Sequence, residues 1–339
     1  MGREEEIRSF IDYLCPDDET FEVCMMQSGP GDISSGYYKN KKVAVQAIME
    51  AESRQPYGIF MCANPIKDSS VSGPVDNARI RGGRRSKDKD ISRYRHLIVD
   101  IDPVRKSNTS ATRKQHKAAT SLAREINATM SKREGWPMPA LLDTGNGAML
   151  LYKVDLDNTS ENVKKIRRCL DTLADEFSTK SVKVDVSVGN PGRLIRVPGT
   201  RNRKGTADDA IRPQRRAKLI KRPKNPELLS EKKMRRYAQA SKEITKEKVP
   251  EKDDRKPTLN LQAYLDAYDV EYVDPKDYHG GKLYPLKACP FNPDHKPRES
   301  AIIQDPKGRL YFKCFHNSCR NYKWRNFRKQ ISGNDCLFR

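Results

Sequence analysis

The stretch of residues 97–103 limits the possible folds more than any other part of the chain. Three apolar residues precede Asp100-Ile101-Asp102, and Pro103 supplies a turn signal, so the sequence predicts a buried strand that ends there. Because side chains alternate along a strand, we expect Asp100 and Asp102 on one face and Ile101 on the other. Two neighbouring carboxylates repel each other unless a divalent cation neutralises them. Alternatively, one Asp caps the turn before Pro103 and the other is solvated.

Charge and composition limit the classes of function. The 339-residue chain carries 66 Lys and Arg against 45 Asp and Glu, which gives a formal net charge of +21. This balance favours a polyanionic partner, with nucleic acid as the first candidate, over a small acidic metabolite. No apolar run of 18 residues, signal peptide or lipidation motif occurs. We therefore expect a cytoplasmic protein with no membrane partner, made of one large and one small domain.

A third carboxylate lies in a stretch with a period of two. Four valines alternate with polar residues in Ser181–Val188, which predicts a half-buried strand with Asp185 on its polar face. Arg193 and Arg196 follow, and they could meet an anionic ligand. Earlier in the chain, Thr-Gly-Asn-Gly at 144–147 joins two apolar stretches and predicts the tight turn of a β-hairpin.

Two basic segments could contact phosphate. The loop 79–89 contains six Lys and Arg residues, which are either simply solvated or hold a phosphate backbone or a triphosphate. From Arg212 to Lys256 there are seventeen Lys and Arg against seven Asp and Glu. Within this segment, 228–242 could form a basic helix and 244–257 a charged linker. It is either a solvated tether or a second contact to a phosphate backbone.

The C-terminal part contains two short pairs of metal-ligand residues. Cys289 and His295 precede a predicted β-hairpin, and Cys314 and Cys319 follow it. This is the layout of a zinc ribbon, because tetrahedral zinc takes four N or S ligands from two turns. The sequence thus predicts one structural Zn ion on these four residues. His316 is the alternative fourth ligand.

Aromatic side chains accompany basic ones in this segment. Tyr311, Phe315, Tyr322 and Trp324 lie among several Lys and Arg residues. This mixture suggests base stacking on a single-stranded template. Alternatively, Tyr311 and Trp324 fill the core of a small domain.

Several of these stretches resemble the primase-polymerases of the archaeo-eukaryotic primase superfamily, especially the branch found in phages, plasmids and other mobile elements. The matching stretches, in the order of the family, are His96–Arg105, Asp143–Tyr152, Val182–Arg193, Pro198–Gly205 and Arg212–Arg215. The resemblance implies an α/β (α+β) catalytic domain at 1–225, with a mixed or antiparallel sheet of the RNA-recognition-motif kind flanked by helices. A basic helix and charged linker at 226–258 would connect it to a zinc-ribbon-like domain at 259–339, which resembles the zinc modules that accompany primases.

The resemblance also implies an activity, DNA-directed primer synthesis and extension by templated nucleotidyl transfer. Asp100, Asp102 and Asp185 would be catalytic and would bind two Mg or Mn ions. The residues that would hold the nucleotide are Thr144, Gly145, Asn146, Gly147, Met149, Arg193 and Arg196. Implied partners are a single-stranded DNA template and primer, NTP or dNTP and, by analogy, a helicase in trans. The zinc module would assist template recognition.

One position departs from the pattern of the family. The family usually has a histidine that contacts the nucleotide phosphates where this chain has Met149, and a thioether can neither donate a hydrogen bond nor carry a positive charge. Two alternatives therefore stand beside the polymerase. One is a catalytically silent single-stranded nucleic-acid-binding replication protein, which Met149 favours. The other is a metal-dependent nuclease, since carboxylate clusters also cut phosphodiesters.

Overall fold

The fold is described from a computed structural model. It describes residues 2–15, 18–29, 31–81, 84–106, 108–205, 210–247, 259–306, 308–319 and 322–332, with the backbone alone at 240–247 and 317. The chain divides into two compact units, Met1–Lys248 and Val249–Arg339. Both are built from helices and antiparallel sheets, which confirms the mixed α/β class at that level.

In the first unit, helices and strands are interspersed along the chain. Its helices are α1 (Arg3–Leu14), α2 (Lys41–Ser53), α3 (Arg113–Glu134), α4 (Ser160–Phe177) and α5 (Glu231–Glu247). Its strands are β1 (Phe21–Met26), β2 (Ile33–Tyr38), β3 (Gly58–Cys62), β4 (Arg93–Pro103), β5 (Ala140–Asp143), β6 (Ala148–Asp157), β7 (Val182–Val184), β8 (Leu194–Arg196) and β9 (Lys218–Lys221). No helix in the part of the chain that the structure describes is long and apolar enough to cross a membrane.

Two antiparallel sheets position the candidate site. One has the order β7-β4-β6-β5-β9 and the other β2-β1-β3-β8. The long strand β4 lies between β6 and β7, so groups at its C-terminal end are flanked by both neighbours. Leu97, Val99 and Ile101 on β4 are fully buried in the core. Their burial favours the observed register of the strand, because a shift of one residue would turn Asp100 and Asp102 into the core.

The helices begin and end where the local sequence favours it. Thr112 caps α3 by accepting a hydrogen bond at its hydroxyl oxygen from the backbone N–H of Gln115, at 3.2 Å. Gly135 ends α3 in the left-handed conformation, with φ 61°. Thr159 caps α4 in the same way, and the apolar residues Ile166, Leu170, Leu173 and Phe177 of α4 are buried in the core. Helix α5, which the sequence analysis assigned to the linker, lies in the first unit and packs on α4.

The predicted strand at Ser181–Val188 is too long. Strand β7 ends at Val184, and Val186–Val188 form a short 3-10 turn in which Val186 is 41% exposed. The cause is Asp185, whose carboxylate accepts a hydrogen bond from the backbone N–H of Ser187 at 2.8 Å. A side chain that bonds its own backbone two residues on offers an alternative to the strand ladder.

The second unit is a small antiparallel domain. Its elements are α6 (Leu261–Ala267), β10 (Lys276–Tyr278), β11 (Gly281–Pro285), β12 (Ser300–Gln304), β13 (Leu310–Cys314) and α7 (Trp324–Ile331). The four strands pair in chain order, and β12 and β13 form the predicted hairpin. Leu265, Leu286, Ile302 and Phe327 are fully buried in its core. Most of the predicted charged linker lies outside the described residues.

Candidate carboxylate site and metal centre

Three carboxylates meet at the ends of two paired strands. Asp100 and Asp102 are partly buried on one face of β4, and the fully buried Ile101 between them faces the other side. Asp185 directly follows β7, which pairs with the end of β4. Its backbone N–H donates to the carbonyl oxygen of Asp100 at 2.8 Å. The hydrogen bonding between β4 and β7 therefore brings Asp185 to the other two.

Electrostatics at Asp100 show that these groups interact. The pKa of Asp100 is raised to about 8, mainly by burial and also by the negative charges of Asp102 and Asp185, while Arg193 and Arg105 oppose the shift. The guanidinium of Arg105 lies 3.6 Å from a carboxylate oxygen of Asp102, and that of Arg193 lies 3.7 Å from one of Asp185. At neutral pH Asp100 thus keeps its proton, and the carboxylates of Asp102 and Asp185 each lie beside an arginine.

The three carboxylates are of the type that binds a hard divalent cation, but their oxygens are not close together. Carboxylate oxygens are the ligands that Mg and Mn prefer, and a bound cation would favour the ionised form of Asp100. Among the described residues, however, the group of three or more ligand atoms that lie within 4.8 Å of one another is the Cys/His cluster in the second unit. The three aspartates do not reach that spacing. Binding of Mg or Mn here stays a prediction.

The hairpin tip at 144–147 packs directly on the end of β4. The backbone N–H of Gly147 donates to the Thr144 hydroxyl oxygen at 3.0 Å, and Gly145 has a φ of +86°. A Cβ atom at Gly147 would lie 2.3 Å from the carbonyl oxygen of Ile101 and 2.6 Å from a carboxylate oxygen of Asp102. Only glycine permits this approach. The β-hairpin that was predicted to hold the nucleotide therefore lies beside Asp102.

Two other residues that were predicted to bind the nucleotide, Asn146 and Met149, are buried. Asn146 accepts a hydrogen bond from the backbone N–H of Ala111 at 2.8 Å, while its side-chain nitrogen has no hydrogen-bond partner among the described residues. Met149 is buried on β6, directly opposite Asp100 in the ladder. Asn146 thus ties the hairpin to the residue before the cap of α3.

The two predicted arginines have different surroundings. Arg193 is partly exposed and reaches Asp185. Arg196 is buried, with its guanidinium 4.5 Å from the centre of the Phe60 ring and 3.4 Å from the carbonyl oxygen of Arg201. Burial lowers the pKa of Arg196 to about 10. Arg193 therefore lies at the carboxylates, whereas the side chain of Arg196 packs on Phe60 within the sheet β2-β1-β3-β8.

Two further cations near the carboxylates, Arg105 and Lys204, were not among the site residues predicted from the sequence. Burial and the neighbouring Arg105 lower the pKa of Lys204, and the charges of Asp102 and Asp100 oppose this shift, so Lys204 lies close to the carboxylates. A cavity of about 310 Å³ adjoins Asp102. The cations along it are Arg105, Lys106, Lys183 and Lys204. Arg105 and Lys204 stand inside matching stretches, so a search of those stretches for cations would have found them.

The second unit contains a buried cluster of four ligand side chains. The ligand atoms of Cys289, His295, Cys314 and Cys319 all lie within 4.8 Å of one another. The Cys314 sulfur is 3.4 Å from Nδ1 of His295, and the sulfurs of Cys289 and Cys319 are 3.9 Å apart. The pKa of Cys319 is raised to about 11, mainly by burial and also by the neighbouring Cys289. This cluster could bind a structural metal such as zinc, which would take the thiols as thiolates.

His316, the alternative fourth ligand, lies outside the cluster. Its Nε2 is 2.7 Å from a carboxylate oxygen of Glu299, and its ring stacks on that of His295 with centroids 3.8 Å apart. The Ser318 hydroxyl is 3.3 Å from Nε2 of His295. That contact leaves Nδ1 of His295 directed to the three sulfurs.

The aromatic residues of the second unit divide into two groups. Trp324 is partly buried and packs on Tyr264 and Phe327 in the core. Tyr311 and Phe315 are exposed. The sequence therefore suggested a core role correctly for Trp324, whereas Tyr311 remains available for stacking.

Comparison with known proteins adds no relative. No family model matches the chain, and no curated protein is detectably similar to it. The function must accordingly be argued from the site.

Proposed function

We propose that this protein is a DNA primase-polymerase of the archaeo-eukaryotic type, which synthesises and extends primers on single-stranded DNA from NTP or dNTP. The meeting of Asp100, Asp102 and Asp185 at the ends of β4 and β7 is the observation that carries the proposal. Nucleotidyl transfer needs acidic ligands for divalent cations beside cationic groups for phosphates. Arg105 and Arg193 lie beside these carboxylates. The antiparallel, helix-flanked sheet is compatible with the RNA-recognition-motif-like fold of that superfamily.

The residues of the site have separate roles in this proposal. Two divalent cations bound by the three carboxylates would neutralise charge at the attacking and leaving oxygens. Arg193 and Lys204 donate charge-assisted hydrogen bonds to the triphosphate, and the hairpin at 144–147 closes the site next to Asp102. In the second unit, the zinc-ribbon-like module assists template recognition.

Primer synthesis on single-stranded DNA tests the proposal. The full chain is incubated with labelled nucleotides and Mg or Mn, next to Asp100→Ala/Asp102→Ala. A matched control is Asp155→Ala/Asp157→Ala, which removes two carboxylates of the neighbouring strand β6 that pair with Arg93 and lie at its other end. We expect products from the parent and the control and none from the first variant. Products from Asp100→Ala/Asp102→Ala, or strand shortening by the parent, would contradict the proposal.

Met149 supports a second candidate, a catalytically silent protein that binds single-stranded DNA. A buried thioether opposite Asp100 supplies no hydrogen bond to a phosphate. This candidate predicts salt-sensitive binding of single strands and no product with either metal. The primer-synthesis experiment therefore separates the two.

A further inference from the structure

A loop before β4 presents cations next to the carboxylate site. We call the exposed side chains of Arg84, Arg85, Lys87 and Lys89 the basic ledge. We propose that the basic ledge binds the sugar-phosphate backbone of single-stranded DNA and guides the strand towards Asp185. The location next to Asp185 gives this binding its meaning under the proposed function, but the binding itself does not depend on catalysis.

The main chain of the ledge is held in place. The carbonyl oxygen of Arg84 accepts a hydrogen bond from the Ser72 hydroxyl at 3.1 Å. The backbone N–H of Ser86 donates at 2.9 Å to Glu22, which is fully buried. The Lys67 ammonium donates to the carbonyl oxygen of Lys89 at 2.9 Å. A loop that is merely solvated has no need of such anchors, whereas a phosphate-binding surface gains from being pre-formed.

The two carboxylates of this segment accept hydrogen bonds that anchor the loop, and among the described residues they form no ion pairs with its cations. Asp88 accepts hydrogen bonds at one carboxylate oxygen from the Asn190 side chain and the Gly192 backbone N–H, both at 2.9 Å. Asp90 accepts one from the backbone N–H of Lys87 at 2.8 Å. Within the described ranges, Arg84, Lys87 and Lys89 of the ledge form no ion pair. With four cations against these two carboxylates, the ledge presents a net positive charge to solvent.

The same contacts join the ledge to the carboxylates. Arg85 donates from its guanidinium to the carbonyl oxygen of Gly192 at 2.7 Å. The next residue, Arg193, is the one whose guanidinium lies 3.7 Å from Asp185. One short segment thus contacts the ledge and the candidate catalytic carboxylate, so a strand lying on the ledge would pass beside the site.

The arrangement suits a polynucleotide backbone better than a triphosphate. The cations occupy exposed positions that follow one another along the chain from Arg84 to Lys89. A triphosphate is compact and would need them to converge on one point. Exposed lysines and arginines in a segment that contains no aromatic residue indicate contacts to phosphates rather than to bases. Binding should therefore be independent of sequence and sensitive to salt.

Fluorescence anisotropy with a labelled mixed-sequence oligonucleotide of about 20 nucleotides tests this proposal. The full chain is titrated at several KCl concentrations without nucleotide and without added Mg or Mn, and compared with Arg84→Ala/Lys87→Ala/Lys89→Ala. Loss of three phosphate contacts should reduce the slope of log K against log salt by about 2 and weaken binding roughly tenfold to a hundredfold at 0.1 M salt. Arg85 is kept, because it holds the loop at Gly192.

Two further variants keep the test decisive. Lys114→Ala/Lys117→Ala/Arg124→Ala removes the same charge from the exposed side of α3 and should bind almost like the parent. Arg84→Lys/Lys87→Arg/Lys89→Arg keeps the charge and should retain binding, and a thermal melt of the alanine variant should match that of the parent if the variant is folded. An unchanged salt slope in the ledge variant, or an equal loss in the α3 variant, would overturn the proposal. If the protein binds DNA through the ledge but makes no product, the ledge proposal is supported and the polymerase proposal is contradicted.

Discussion

Met149 lies directly opposite Asp100 in the antiparallel ladder between β6 and β4. Side chains of opposed residues point to the same face of a sheet, with Cβ atoms about 5 Å apart. An apolar, buried side chain is therefore the cross-strand neighbour of a candidate catalytic carboxylate. This neighbour contributes to the burial that raises the pKa of Asp100, and it supplies no hydrogen bond to a bound nucleotide.

Restoring a histidine at this position should strengthen nucleotide binding. In Met149→His, an imidazole N–H next to the site could donate to a phosphate, a type of contact worth about 1.5–3 kcal/mol. We expect the KM for nucleotide to fall roughly tenfold to a hundredfold, measured by primer extension. Met149→Leu is the control for packing and should behave like the parent. Equal KM values for the histidine and leucine variants would contradict the prediction.

The raised pKa of Asp100 predicts a dependence of stability on pH. The native carboxyl keeps its proton up to about pH 8, whereas in the unfolded chain it loses it near its ordinary value of 3.8. Over this range the unfolded state binds fewer protons, so the free energy of unfolding falls as pH rises, by at most about 1.4 kcal/mol per pH unit. Asp100→Asn stays neutral and should lose this part of the slope in thermal melts between pH 5 and 8.

Two comparisons make that pH measurement specific. Asp155→Asn, on the neighbouring strand, should keep the slope of the parent because it leaves Asp100 in place. Added Mg or Mn should raise the Tm of the parent at pH 7.5 more than that of Asp100→Asn, since a bound cation stabilises the ionised form. Parallel slopes for the parent and Asp100→Asn would show that Asp100 ionises normally.

The Cys/His cluster predicts which substitutions release metal. Cys319→Ser removes one of four mutually close ligands, so the purified protein should contain much less than one zinc per chain. His316→Ala leaves the cluster intact and should keep its zinc, because His316 contacts Glu299 instead. Metal analysis by mass spectrometry measures both. Loss of zinc in His316→Ala with retention in Cys319→Ser would reverse the ligand assignment.

Two adjacent leucines test how the segment before α5 is held on the first unit. Leu229 is 2% exposed and packs in the core, while Leu228 is 59% exposed. Leu229→Ala should lower the free energy of unfolding by about 2–5 kcal/mol, and Leu228→Ala should change it by less than about 0.5 kcal/mol. Urea unfolding in a Trp324→Phe background can be followed by the fluorescence of Trp136, which packs on Tyr237 of α5. Similar losses in both variants would show that this segment is not specifically docked.

Features that depend on local periodicity or spacing were predictable from the sequence. Alternation along β4 separates Asp100 and Asp102 from Ile101, and the apolar stripe of α4 faces the core as its spacing indicates. The paired spacing of the C-terminal Cys and His residues identified the four that cluster in the second unit. In these cases neighbours in the chain remain neighbours in the fold, so the pattern of residue types carries enough information.

Features that depend on contacts between distant segments were decided by the tertiary structure alone. The strand after Ser181 ends early because the Asp185 side chain bonds its own backbone, and the backbone N–H of Asp185 then meets Asp100, 85 positions earlier in the chain. Arg196 is packed on Phe60, whereas Lys204 lies near Asp102. Residue types name the candidates for a charged site. Which of them reach it depends on burial and long-range hydrogen bonds, whose free energies involve partners that a local pattern does not contain.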